Sequence, residues 1–181
     1  ALVYMATLYE SEKKLGNLMF TPELMDALEI DIQTLHKDAM ISDLNYEPVL
    51  FTTEDLIEAF ALKKPLFAIN LFNRKVRMRG DKLPMLTLTK GNQMNGASLI
   101  LHKSIRKKIG DIVGGNFYVL PSSIHEVMII PEEGFEAGEL SKLVSTCNSQ
   151  LYTEANSKDI LSDKVQWCSM DGEILRRAEN E

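Results

Sequence analysis

The stretch GGNFYVLPSSIHEVMII, residues 114–130, predicts a β-hairpin. Its two runs at Asn116–Leu120 and Glu126–Ile130 are rich in aromatic and β-branched residues and have the length of strands. Between them, PSSIH at residues 121–125 supplies the Pro and Ser side chains that favour a tight turn. We therefore start from this hairpin and work outward along the chain.

The region just before the hairpin predicts a strand–strand–helix unit over residues 83–115. Leu83–Thr89 has the pattern of a strand, Ala97–Leu101 that of its return strand, and the turn-rich residues Lys90–Gly96 connect them. A helix is expected over Ser104–Val113, ended by the pair Gly114-Gly115. Its apolar residues fall on one face: Ile105, Ile109, Ile112 and Val113.

A similar order is present at the start of the chain, over residues 1–40. Leu2–Tyr9 and Leu18–Phe20 predict two strands, and Thr21-Pro22 predicts a helix start with Thr as N-cap and Pro at the first helical position. Residues 31–40 are expected to form a second helix or a continuation of the first helix after a break. A shift of 80 residues aligns Met5 with Met85 and Gly16 with Gly96. This predicts a pseudo-repeat of two β-β-α units, with a chance match of apolar positions as the open alternative.

Residues 41–82 predict a connector between the two units. A short helix is expected to start at Thr52-Thr53 and to end at about Lys63, ahead of Pro65. An apolar patch at Leu66–Leu71 follows it. Basic residues then cluster at Arg74, Lys75, Arg77, Arg79 and Lys82.

The rest of the chain, residues 116–177, predicts a hairpin, a helix and a second hairpin. The helix, Ala137–Leu151, is expected to turn Leu140, Leu143, Val144 and Cys147 inward. The closing hairpin pairs Lys164–Ser169 with Ile174–Arg176. A two-residue Asp171-Gly172 turn between apolar runs is a strong short hairpin signal.

Hairpins and helices alternate without the phasing of βαβ units, so the sequence predicts an α+β fold. We expect an antiparallel sheet built from hairpins, with helices packed on one face and two pseudo-repeated β-β-α units. The domain prediction is a single domain over 1–181, made of unit 1–40, connector 41–82, unit 83–115 and hairpin-helix-hairpin 116–177. Because the chain opens without Met inside an apolar run, we expect it to be the C-terminal part of a longer protein.

Composition narrows the classes of protein to which the chain can belong. It has 26 acidic and 20 basic residues among 181, a formal net charge of −6, which argues against a nucleic-acid partner. No apolar run reaches the roughly 18–20 residues that a membrane span needs, so we expect no membrane insertion. The two cysteines, Cys147 and Cys168, are interpreted as small buried hydrophobic residues of a cytoplasmic protein.

Residues 114–127 also resemble the hallmark of a bacterial domain-of-unknown-function family, GG-x-F-Y-x-L-P-S-S-I-H-E-V. Asn95–Ser98 and Leu161–Val165 are similar to other segments of that family, whereas Trp167-Cys168 departs from its pattern. The resemblance implies a bacterial cytoplasmic setting and members that extend further toward the N-terminus. It implies no activity, ligand or catalytic residue.

The central turn holds the polar cluster that invites a catalytic reading: Ser122, Ser123, His125 and Glu126. A hydroxyl nucleophile needs a base within about 2.6–3.2 Å and a third group that orients the base. All four residues lie in one tight turn, and no Gly-x-Ser-x-Gly elbow frames the serines. We therefore prefer a structural role for the cluster and assign no catalytic residue.

Other chemistry has weaker support in the sequence. His36, His102 and His125 have no metal-ligand spacing, and convergence of the last two in space is the remaining route to a metal site. The glycines of residues 110–115 end a helix, where the dipole disfavours phosphate. We expect no metal and no cofactor.

The function predicted from sequence is a non-catalytic interaction or ligand-binding module whose protein or small-molecule partner is unidentified. The alternative is a hydrolase centred on the Ser122–Glu126 turn, with Asn92 or Asn95 of the preceding connection as a further polar group. The oligomeric state stays open.

Overall fold

The computed structural model describes residues 3–11, 14–74, 85–151 and 159–178. They divide into two compact units, residues 1–45 and 46–181, which are described separately below. The first of these ends near the predicted boundary at residue 40. That both units act as a single domain stays a prediction.

The first unit is a hairpin followed by two helices, as predicted, but its second strand begins at Lys14 and not at the predicted Leu18. Strands β1 (Met5–Ser11) and β2 (Lys14–Met19) are antiparallel, and helices α1 (Pro22–Ala27) and α2 (Ile32–Asp43) follow. The Thr21 side chain accepts a hydrogen bond from the Leu24 N–H, and Asp31 accepts from the N–H groups of Gln33 and Thr34. These caps satisfy amides that the helices leave unpaired, so local sequence alone determines where both helices begin.

The second unit contains a six-stranded sheet in which every neighbouring pair is antiparallel. Its strands are β3 (Pro48–Thr52), β4 (Leu86–Lys90), β5 (Phe117–Pro121), β6 (Val127–Pro131), β7 (Gln166–Cys168) and β8 (Leu175–Arg177). The spatial order is β3-β4-β6-β5-β7-β8. The α+β antiparallel prediction is confirmed.

The prediction that residues 41–82 form only a connector is wrong, because this segment contains edge strand β3. The Thr52 side chain at its end accepts a hydrogen bond from the Asp55 N–H and starts helix α3 (Thr53–Ala61), as predicted. Two 3₁₀ helices follow, Leu66–Ile69 and Leu71–Asn73. The Asn70 side chain accepts a hydrogen bond from the Leu50 N–H of β3, so it ties this segment to the edge of the sheet.

The predicted return strand Ala97–Leu101 is also wrong: Gly96–Leu101 is a 3₁₀ helix. Strand β4 already has neighbours on both edges, β3 on one side and β6 on the other, so no edge is left for a return strand. The described part of the predicted unit 83–115 is therefore strand, 3₁₀ helix and helix instead of β-β-α, and the pseudo-repeat is not confirmed. Helix α4 (Lys103–Val113) ends at Gly114 in the left-handed conformation, as predicted.

Helical elements pack on both faces of the sheet, so the expectation of helices on one face is corrected. One face packs Leu88, Val119 and Ile129 against α4 and the 3₁₀ helix Gly96–Leu101. The other face packs Tyr118 and Leu120 against helix α5 (Ala137–Leu151). Strands that are apolar at consecutive positions are typical of sheets covered on both sides.

Two details of the last segments differ from the prediction. On α5, Leu140 and Val144 are buried, but Leu143 is 50% exposed and Cys147 is exposed, so the inward face is narrower than predicted. The closing hairpin is confirmed, but its connection is the longer loop Met170–Glu173, because the Ser169 N–H donates to the Ile174 carbonyl.

Some predictions fall outside the described residues. These are the basic positions Lys75, Arg77, Arg79 and Lys82, the first residues of the predicted strand Leu83–Thr89, and Leu2. Arg74 is described, and it forms an ion pair with Asp55 on α3.

Candidate functional site

The turn between β5 and β6, residues 122–126, is held by main-chain hydrogen bonds to segments distant in sequence. The His125 carbonyl accepts from the Gly96 N–H at 3.0 Å, and the Ile124 carbonyl accepts from the Ala97 N–H at 3.2 Å. On the other side, the Ile124 N–H donates to the Asp159 carbonyl at 2.8 Å. The backbone of the turn is therefore positioned by tertiary contacts as well as by its own Pro and Ser residues.

Gly96 allows the two segments to come this close. A Cβ at this position would lie 2.6 Å from the His125 carbonyl oxygen and 2.7 Å from both the Lys90 nitrogen and the Thr89 hydroxyl. The Thr89 hydroxyl donates to the same His125 carbonyl at 2.9 Å. Only glycine leaves room for this arrangement without a shift of the backbone.

The His125 imidazole is fixed in one tautomer. Its Nδ1 accepts a hydrogen bond from the backbone N–H of Asn95 at 3.1 Å, so Nδ1 carries no proton. The neutral ring then has its proton on Nε2 and acts there as a donor. Asn95, which the sequence suggested as a polar partner, thus contacts the turn through its backbone, with φ at +51°.

The serines do not form a nucleophile–base pair with this ring. The Ser123 hydroxyl oxygen accepts from the backbone N–H of His125 at 3.1 Å, which is the local turn bond expected of a serine at this position. A base must offer a free lone pair, and in this tautomer Nδ1 is occupied and Nε2 is protonated. The geometry therefore disfavours the hydrolase alternative and favours the structural role of Ser123.

Three of the four candidate residues line a cleft of about 260 Å³, whereas Ser122 does not. The polar wall consists of Thr89, Gln93, Ser123, His125 and Glu126. The apolar part of the lining consists of Phe51, Leu56 and Leu66. The turn thus shares the cleft with side chains from β3, α3 and the 3₁₀ helix Leu66–Ile69.

The apolar wall and the residues Thr89 and Gln93 were not identified from the sequence. Phe51 lies in strand β3, which the pattern did not reveal, and Leu66 lay in a patch interpreted as part of a connector. The sequence did predict a turn-rich connection over residues 90–96, and Gln93 lies within it with a positive φ of +59°. No local signal showed that this connection faces the Ser122–Glu126 turn.

Among the residues that the structure describes, Glu126 is the carboxylate that lines the cleft, and no Lys or Arg lines it. Across the described ranges, no group of three or more His, Cys, Asp or Glu residues is placed to hold a metal ion. Likewise, no helix in the described part of the chain has both the length and the apolar character to cross a membrane.

Comparison with known proteins gives a family without an activity. A family model described as a family of unknown function (DUF5688) matches residues 1–168 of the chain. No curated protein and no solved structure matches it.

Proposed function

The chain belongs to this family of unknown function, DUF5688, and we propose that it binds a small ligand without transforming it. Membership of the family assigns no activity, so the proposal is based on the geometry of the cleft. The observation that carries the proposal is the His125 ring. Its Nδ1 is occupied by the Asn95 N–H, and the ring lines a space with one polar and one apolar wall.

The shape and the lining of the cleft support a ligand site. Small-molecule sites are concave, largely apolar and carry a few convergent polar groups, usually over about 300–1,000 Å³ for drug-sized ligands. At about 260 Å³, this cleft suits a molecule somewhat smaller than that. Because Gly96, Thr89 and Asp159 hold the turn, the polar groups are positioned before a ligand arrives.

The state of the cysteines supports the proposed cytoplasmic setting. Cys147 is exposed and Cys168 is buried, and both are free thiols. Exposed free thiols persist in reducing compartments and are uncommon in secreted proteins.

Fragment binding to the ¹⁵N-labelled protein tests the proposal. We expect members of a library of small polar-apolar molecules to shift the amide signals of Gln93, Ser123 and His125. Leu56→Trp should abolish these shifts, because Leu56 lines the apolar wall and is 39% exposed, so the larger ring can enter the cleft without crowding the core. Ile57→Trp is the matched control, since Ile57 is on the same helix, is 65% exposed and does not line the cleft.

Either of two kinds of result would contradict the proposal. One is the absence of ligand binding at the cleft: no fragment shifts the cleft signals, or the shifts persist in the Leu56→Trp variant. The other is turnover of generic esters or phosphates that Ser123→Ala removes and Ser122→Ala retains, which would establish the hydrolase.

A further inference from the structure

The charge of the cleft is not balanced. Glu126 is partly buried, and its carboxylate has no hydrogen bond or ion pair among the described residues. Two other acids of this unit have partners: Glu132 accepts from the Trp167 and Asn116 side chains, and Asp55 pairs with Arg74. A partly buried carboxylate that faces an open cleft without a cation is matched by a cationic ligand.

Several neighbouring polar groups can accept a hydrogen bond from a ligand. The Thr89 hydroxyl donates its hydrogen bond to the His125 carbonyl, so towards the cleft its oxygen can only accept. The Ser123 oxygen already accepts one backbone N–H and retains a second lone pair. Together with the Glu126 carboxylate and the amide oxygen of Gln93, they suit a primary ammonium group, which has three donors and no acceptor.

The His125 ring adds a donor with a defined position, and this donor restricts what may stand beside the ammonium. The His125 Nε2–H offers a single hydrogen bond because Nδ1 is held by Asn95. A neutral acceptor, such as an amide or hydroxyl oxygen, satisfies this donor. A ligand carboxylate would face Glu126, and no Lys or Arg of the described lining would compensate its charge.

We infer that the cleft recognises a small primary ammonium compound with an apolar body and an adjacent neutral acceptor, such as an α-amino amide or an amino alcohol. Glu126 binds the ammonium, His125 donates to the acceptor, and Phe51, Leu56 and Leu66 cover the apolar body. The inference rests on the proposed ligand-binding function and names the class of its ligand.

Three probes with the same isobutyl body test the ammonium inference. Each is titrated into the labelled protein, and binding is monitored by the shifts of the amide signals. Leucinamide carries the ammonium and the amide. Leucine has a carboxylate in place of the amide, and 4-methylpentanamide lacks the ammonium. We expect leucinamide to bind at the cleft and the other two to bind at least about tenfold more weakly. Added salt should weaken leucinamide binding, because its main polar contact joins opposite charges.

Glu126→Gln keeps the shape of the side chain and should reduce leucinamide affinity by about tenfold or more while leaving 4-methylpentanamide binding unchanged. Glu133→Gln, at an exposed position outside the cleft, is the matched control and should change neither. If Glu126→Gln does not fold, the comparison of the three probes on the unsubstituted protein decides the question by itself.

The failure of this inference is distinct from that of the proposed function. If leucinamide does not bind, or binds no better than 4-methylpentanamide, the ammonium inference is overturned. If other fragments still bind at the cleft and lose binding in Leu56→Trp, the ligand-binding function survives that result. If no fragment binds, both are rejected.

Discussion

The large sheet has two hairpin turns that other elements hold in place, and they differ in what their side chains do. The turn between β5 and β6, residues 122–126, bonds through its backbone to residues 96, 97 and 159. The turn between β7 and β8, residues 169–174, lies on helix α4, where a Cβ at Gly110 would overlap the Met170 carbonyl and one at Gly172 would lie 2.6 Å from the Lys107 nitrogen.

Polar groups of the second turn are satisfied within the protein. Asp171 accepts from the Ser169 hydroxyl and the Glu173 N–H, and the Ser169 bond in particular lowers the pKa of its carboxyl. The Gly172 carbonyl accepts from the buried Arg106 guanidinium. In the first turn, by contrast, Glu126 faces a cleft without a partner among the described residues. A polar turn is therefore a candidate binding site when its side chains lack hydrogen-bond or charge partners within the protein. Polar composition alone does not identify a binding site.

The largest expected effect comes from Gly110→Ala, which tests how closely the second turn packs. Alanine in an exposed helix interior stabilises by about 1 kcal/mol relative to glycine. Here its Cβ would overlap backbone of the β7–β8 turn, so we expect a loss of about 3 kcal/mol in urea unfolding. Gly115→Ala is the control, because a Cβ there meets nothing within 4 Å. Equal stability of both variants would show that the turn does not rest on α4.

Arg106→Met tests the polar side of the same contact. The guanidinium donates to the carbonyls of Ile100, Leu101 and Gly172, and the substitution leaves these buried acceptors unpaired. We expect a loss of about 2–3 kcal/mol in the free energy of unfolding. Lys103→Gln, also on α4, removes an exposed ion pair with Glu173 of the β7–β8 turn and should cost less than about 1 kcal/mol. Similar losses in both variants would contradict this assignment.

His125→Phe tests the first turn. It removes the acceptor for the Asn95 N–H and should lower the unfolding free energy by about 1–2 kcal/mol, because a partly buried amide loses its partner. His125→Asn should recover part of the loss, since the amide oxygen of asparagine can replace Nδ1. The urea midpoints of the two variants measure the difference, and no recovery would argue that the ring acts by packing alone.

The smallest expected effect is a difference in the reaction rates of the two cysteine thiols, with no change in the free energy of unfolding. Burial raises the pKa of the Cys168 thiol, at the base of the second turn, to about 11. At pH 8 about one part in a thousand is then thiolate, so Cys168 should react with Ellman's reagent only as the hairpin opens. The exposed Cys147 should react fast, and Cys147→Ser should remove that fast phase. Fast modification of Cys168 would show that the β7–β8 turn opens readily.

Local signals predicted the elements well where the interaction itself is local. Thr21, Thr52 and Gly114 mark helix ends because each cap involves residues within one turn of the helix. The hairpin of β5 and β6 followed from its apolar runs and its turn. Strand β3 was missed because an edge strand of five residues between polar segments leaves little pattern. Residues 97–101 were misassigned because an apolar run fits a buried strand or a buried 3₁₀ helix equally well.

The sequence by itself determined the α+β class, most helix starts and ends, and the turn that carries Ser123, His125 and Glu126. Tertiary structure alone decided that helices cover both faces of the sheet and that Gly96 lets residues 90–97 reach the turn. It also decided which tautomer His125 adopts and that Phe51, Leu56 and Leu66 face it. The reason is physical: caps and tight turns depend on neighbours a few residues away, whereas a cleft depends on packing between segments that are 30 or more residues apart.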